Sequence, residues 1–205
     1  MKQEHNPIRN RRQTNTPTTV FGRSVSNGAS PLLIVGLGNP GEEFKNTYHN
    51  VGGEALQYIR KHFGMPAFKK ITAKQFMLSK SEDAMLILPL VFMNESGNAV
   101  REALRYFKLN EDALLVIHDD TDLSIGSWKE SRSQGAAGHN GVASIITALS
   151  TKNFRRVRIG VRPEFGGERK KAEEFVLRPI AKSEQKILEG VFEEIAGKIF
   201  PGASA

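Results

Sequence analysis

Leu32-Leu33-Ile34-Val35 is an apolar run with no polar position, and it stops at Gly36. A strand with one wet face alternates polar and apolar residues. A run without alternation is covered on both faces, which calls for helices above and below a sheet. Leu86 to Leu90 and Ala113 to Ile117 repeat the pattern, and Leu114 to Ile117 reads as a second fully covered strand. Between such runs the period changes. Val51, Ala55, Leu56, Ile59 and Phe63 mark one face of a helix that Gly64 ends. Val100, Ala103, Leu104 and Phe107 mark a second, Val142, Ile145, Ile146 and Leu149 a third, and Ser183 to Phe200 a closing helix. Phe76 to Leu78 and Ala84 to Leu88 form a strand pair around the polar turn at Lys80 to Asp83, and Phe154 to Val161 is a strand with Arg156 and Arg158 opposite Val157 and Ile159. The predicted fold is α/β: a single three-layer α/β/α domain around a mixed, mostly parallel twisted sheet.

The boundaries follow from composition. Residues 1–30 carry +4 of the chain's net +7, are rich in Asn, Thr and Ser, and have no apolar period. Such a segment cannot bury enough surface to offset its ordering entropy. It is predicted as a disordered basic tail, with an organellar transit peptide as the second reading. Residues 31–200 make the folded domain and 201–205 a short C-terminal tail. No apolar run approaches the roughly 18 residues of a membrane span. The expected location is therefore cytoplasmic, with organellar import through residues 1–30 left open.

Several chemistries drop out early. The chain has no cysteine, which removes thiolate nucleophiles, disulfide scaffolds and Cys-held metal centres. The five histidines show no HExxH-like spacing. Basic residues number 29 against 22 acidic ones, a balance that attracts polyanions.

Polar clusters fall where open α/β sheets keep their working groups, after the carboxyl ends of strands. Gly36-Leu37-Gly38-Asn39-Pro40-Gly41 matches a dinucleotide-loop pattern. Its surroundings do not: no helix starts inside it, and no acidic residue ends a second strand about 20 positions on. His49 stands at the start of the first helix, where the helix dipole favours the neutral imidazole that a general base requires. A lone histidine there is more often a cap or a surface residue. Asp119 and Asp120 follow Leu114 to Ile117, and either carboxylate suits the orientation of an imidazole. Phe92-Met93-Asn94-Glu95-Ser96-Gly97 and Gly138-His139-Asn140-Gly141 each open a helix. Their asparagines serve as N-caps or as amides aimed at a ligand. Lys152 to Lys171 is strongly basic, and Lys129 and Arg132 extend the patch. Arginine forks match phosphate oxygens, although a solvated basic face explains the same residues.

Taken together and in order, these segments resemble the bacterial-type peptidyl-tRNA hydrolase family. The carrying stretches are Leu33 to Gly41, Asn46 to Gly52, Phe92 to Gly97, His118 to Leu123, Gly138 to Gly141 and Phe154 to Gly160. The likeness covers about Pro31 to Phe200. It implies a monomeric α/β/α esterase that cleaves a peptide from the 3′ end of tRNA, with no metal, no organic cofactor and no membrane partner. By motif match, His49 is the base, Asp119 its carboxylate partner, and Asn39 and Asn94 catalytic amides. Tyr48, Met93, Asn94 and Asn140 line the substrate cleft, and Lys129 and Arg158 meet tRNA phosphate. Free aminoacyl-tRNA carries an ammonium that is costly to desolvate, whereas a peptide amide pairs with such asparagines. Three positions depart from the family pattern. Tyr48 stands where arginine is usual, Gln134 to Gly138 replaces a glycine-rich approach, and Ser131 sits where a basic residue is common. The alternative from another class is a catalytically silent RNA-binding homologue, such as an RNA-splicing partner.

Overall fold

The computed structural model describes residues 32–82, 84–162 and 175–201, together with the backbone at 18–20 and 23–25. The predicted basic tail and the last four residues otherwise lie outside the described set. In that segment β1 (Thr18–Val20) and β2 (Arg23–Val25) pair antiparallel, apart from the main sheet.

The main sheet is built on β3 (Leu32–Gly36), whose five residues are all buried, as the uninterrupted apolar run requires. The other strands are β4 (Lys69–Lys70), β5 (Phe76–Lys80), β6 (Ala84–Pro89), β7 (Leu114–Ser124), β8 (Trp128–Arg132) and β9 (Arg155–Arg162). Their order is β4-β5-β6-β3-β7-β9-β8. The four central strands run parallel, and β4, β5 and β8 add antiparallel edges. The predicted mixed, mostly parallel sheet is the observed one.

Among the described residues four α-helices cover it: α1 (Val51–His62), α2 (Ser96–Phe107), α3 (Asn140–Leu149) and α4 (Lys182–Ile199). One apolar layer joins α1 and α4 to the sheet through Val51, Leu56, Ile59, Leu188, Ile195 and Ile34. The opposite layer joins α2 and α3 through Val100, Leu104, Val142 and Ile145, packed on Leu33, Val35 and Val116. Alternate residues of β3 thus point to opposite layers, as a strand's period of two dictates.

Two helices seat unusually close. A Cβ on Gly52 would strike the Ile117 carbonyl, and one on Gly97 would strike the Ser144 carbonyl. The missing side chains bring the start of α1 onto Ile117 within β7 and the start of α2 onto α3. Chain segments from three regions of the sequence therefore meet at the carboxyl end of the sheet. Among the described residues, no helix is long and apolar enough to cross a membrane.

Sequence reasoning ended β7 too early. The strand continues through His118-Asp119-Asp120 to Ser124, because its polar half pairs with β9 as far as Gly160 before the register shifts. β4 and β8 also went unpredicted. β8 is charged and lies at the sheet edge, so no apolar pattern announces it.

Candidate active site

His49 lies on a single 3-10 turn, Tyr48–Asn50, directly before α1. Its backbone N–H donates to the Val176 carbonyl at 2.8 Å, and the Ile180 N–H donates to the Asn46 carbonyl at 2.7 Å. Residues 176–180 thus strap the turn from outside. The imidazole Nδ1 is 2.9 Å from Asp119 Oδ1. A carboxylate only accepts, so Nδ1 carries the proton and Nε2 keeps its lone pair, on a ring that lines the cleft.

Asp119 Oδ1 has a second partner. His139 Nε2 lies 2.9 Å from the same oxygen. The other nitrogen of that ring, Nδ1, receives the backbone N–H groups of Gly141 and Val142 at 3.1 and 3.3 Å. Two donors pointing at Nδ1 require a lone pair there, so the proton sits on Nε2 and His139 is a neutral donor to Asp119. His139, rather than Asn140, is the N-cap of α3. Asn140 is the first residue of the helix and its exposed side chain lines the cleft.

Electrostatics follow this wiring. Burial resists ionisation of Asp119, but the two imidazole N–H groups beside it, by electrostatic attraction and hydrogen bonding, hold its carboxyl far below the usual range. For His49, burial works against the imidazolium while the hydrogen bond and charge of Asp119 favour it, and the net direction is upward. His118 behaves oppositely. It is buried, its Nδ1 lies 2.7 Å from the Asp119 carbonyl, and its Nε2 has no partner. Burial, with His139 beside it, drives its basicity well below that of a free imidazole. His49 is thereby suited to accept a proton, while burial holds His118 neutral.

Metal binding tests poorly against the same contacts. His49, Asp119 and His139 place their ligand atoms within 4.8 Å of one another. Yet His139 Nδ1 is spent on capping α3, which fixes the proton on the nitrogen that a metal would need.

The cleft encloses about 240 Å³ among His49, Asp119, His139, Asn140, Arg158 and the Gln134–Gly138 loop. Asn39 borders an adjoining hollow with Asn50 and Leu90. Both backbone groups of Asn39 are held by the Asn50 side chain, at 2.8 and 2.9 Å. Its own Oδ1 accepts the Met93 N–H at 2.8 Å, which leaves the amide NH₂ as the free end. Met93 is buried, with its sulfur against Gly141 beside the His139 ring. Asn94 is exposed on the 3-10 turn Met93–Glu95, outside the lining of the His49 cleft.

Other expected contacts fall differently. Tyr48 is buried, and its hydroxyl donates to Glu184 at 2.5 Å rather than facing the cleft. Burial and that carboxylate raise it above the usual phenol range. Lys129 and Arg158 stand opposite each other across β8 and β9. Lys129 is exposed, whereas Arg158 Nε pairs with buried Asp120 at 2.5 Å. Arg156 is not part of an exposed patch at all. It is 2% exposed, and its fork donates to the Gly135 and Gln134 carbonyls at 2.9 and 2.6 Å. Burial and the neighbouring Arg158 weaken its hold on the proton. Sequence reasoning did not single out His139 as a site residue. The available signal was its place one residue ahead of a helix, where a ring nitrogen can accept backbone N–H groups.

The peptidyl-tRNA hydrolase profile matches residues 33–200. The chain belongs to the peptidyl-tRNA hydrolase family. It is 36% identical over 165 residues to peptidyl-tRNA hydrolase of Lactobacillus johnsonii, covering 78% of this chain and 86% of the relative. It is 38% identical over 171 residues to the Prochlorococcus marinus protein of that name, covering 80% and 85%. A crystal structure of peptidyl-tRNA hydrolase from Acinetobacter baumannii superposes with a TM-score of 0.75 at 29% identity, covering 82% of this chain and 86% of that one. Family membership and the imidazole–carboxylate pair displace the dinucleotide reading of the Gly36–Gly41 loop.

Proposed function

We propose that the protein hydrolyses the ester between a peptide and the 3′ end of tRNA, acting as a monomer without a cofactor. The observation that carries this reading is the shared oxygen of Asp119. It sets one tautomer on His49 and holds that ring against a cleft. His49 Nε2 takes a proton from water as the water oxygen attacks the ester carbonyl, and Asp119 stabilises the resulting imidazolium. The free NH₂ of Asn39 is a donor for the developing oxyanion. Asn140 in the cleft lining and the exposed Asn94 pair with the peptide amides, and Met93 packs against Gly141 beside the His139 ring. The tetrahedral intermediate then collapses, the C–O bond to the ribose breaks, and His49 returns its proton to the departing 3′ oxygen. Lys129 and Arg158 flank the cleft on the side where phosphates enter.

The test is release of N-acetyl-aminoacyl groups from tRNA by the purified protein and by His49→Ala. The expected result is a loss of at least a hundredfold in the variant, the usual scale for a general base. Equal rates would remove His49 from the chemistry. A wild type that binds tRNA and cleaves nothing would favour the silent RNA-binding alternative.

A further inference from the structure

Asn94, Asn98, Arg101 and Arg105 follow one another at intervals of four, three and four residues. On α2 that spacing sets Asn98, Arg101 and Arg105 in one stripe, and Asn94 lies just ahead of it on the 3-10 turn Met93–Glu95. Asn98, Arg101 and Arg105 line a shallow groove of about 790 Å³ with Lys74, Glu102 and Tyr106. The groove is cationic in effect as well as in composition. Its one carboxylate, Glu102, is already engaged by Lys74 Nζ at 3.3 Å and by the Gln75 N–H at 2.8 Å. Lys74 also sits 5.6 Å over the half-exposed Tyr106 ring. Arg101 donates only to the neutral Asn98 amide, at 3.1 Å, and among the described residues no carboxylate pairs with Arg105.

Placement says what would lie there. The sheet order puts β8 and β9, with Lys129 and Arg158, on one side of the cleft, and β5 with its neighbour α2 on the other. A substrate that joins two polymers at one ester leaves the cleft in two directions. The phosphate-bearing arm matches the β8–β9 side, so the opposite side faces the peptide. We infer that the α2 groove is a track for the peptide arm of the substrate, and that its unbalanced arginines favour peptides with acidic side chains. This rests on the esterase reading above.

The register follows from geometry. Helix rise places Arg101 about 4.5 Å and Arg105 about 10.5 Å beyond Asn98. An extended peptide advances roughly 3.3 Å per residue, so the arginines fall beside side chains about one and three residues upstream of the one at Asn98. Asn98, ahead of both arginines, offers an amide to the peptide backbone.

Three substrates on one tRNA test this: N-acetyl-aminoacyl, a peptide with Glu at the third to sixth positions upstream of the esterified residue, and its Lys counterpart. Exposed ion pairs give on the order of a two- to fivefold effect each. Wild type should show a KM about fivefold or more lower for the Glu peptide than for the Lys peptide. The double variant Arg101→Glu/Arg105→Glu should reverse that order and leave N-acetyl-aminoacyl-tRNA unaffected. Equal KM for the two peptides in wild type would overturn the track. So would a variant whose KM rises equally for all three substrates, which would make the stripe an RNA contact. If wild type fails on the short substrate, the esterase reading itself falls, and the track with it.

Discussion

Replacing Asp119 by asparagine removes a charge while keeping an oxygen in place. The amide Oδ1 can still accept from His49 Nδ1 and His139 Nε2, each now 2.9 Å from the carboxylate oxygen. What is lost is the attraction for the imidazolium. With charge centres about 4 Å apart and an effective dielectric near 20, that attraction is roughly 4 kcal/mol. Hydrogen bonding to a charged group is worth about 1.5–3 kcal/mol by mutational measurement. At 1.36 kcal/mol per decade these figures bracket a fall in kcat of about ten- to a thousandfold. The pH profile should move as well. Burial alone lowers the basicity of His49, and Asp119 is what reverses the sign. In wild type the acid limb of kcat/KM should therefore lie above 6.5, the ordinary imidazole value. In Asp119→Asn it should lie below that value, because only the burial effect survives. The assay is single-turnover release from N-acetyl-aminoacyl-tRNA between pH 5 and 9, with circular dichroism as a folding control. A folded variant with a slow rate and an unmoved acid limb would refute the claim that Asp119 acts on His49 electrostatically.

Other perturbations separate neighbouring roles. His139→Ala removes the α3 cap and one support of Asp119, so the fold should lose about 1 kcal/mol and kcat should fall with KM little changed, read by denaturant titration beside steady-state kinetics. Tyr48→Phe cuts the 2.5 Å tie to Glu184, and a several-fold drop in kcat with tRNA affinity intact would identify it as a holder of the His49 turn; weakened tRNA binding would instead restore it to the substrate surface. Lys129→Ala should lower the slope of log affinity against log salt by about one without affecting stability. Arg158→Ala should do the same and also destabilise the fold by roughly 1–3 kcal/mol, because Asp120 is left buried without its partner. Asp119, with its carboxyl held low, contributes stability that is present above the unfolded value near 3.9 and lost as pH falls below it. Acid unfolding of Asp119→Asn should lack that component.

The covered strands and one-faced helices were legible because burial on two faces, or on one, leaves different periods in the sequence. Leu32 to Val35 and Leu114 to Ile117 announced themselves in this way, and so did all four helices. The pairing of His49 with Asp119 came from motif order, since no local pattern joins residues 70 apart. His139 was missed because its part depends on which ring nitrogen meets the helix start, a matter of rotamer rather than of residue type. Arg156 was read as surface charge for a related reason. An alternating strand shows which residues share a face, but not that a loop lies over that face and takes the guanidinium into its carbonyls. Tyr48 was assigned to substrate on its chain neighbour's account, while its true partner lies 136 residues away.

Asp119 presents a single oxygen to both imidazoles. The aim of the base is therefore shared property: it is fixed as much by the first turn of α3 as by the turn on which His49 rides. Asn140 follows that cap directly in the chain, so the proposed substrate contact and the support of the base share one helix start.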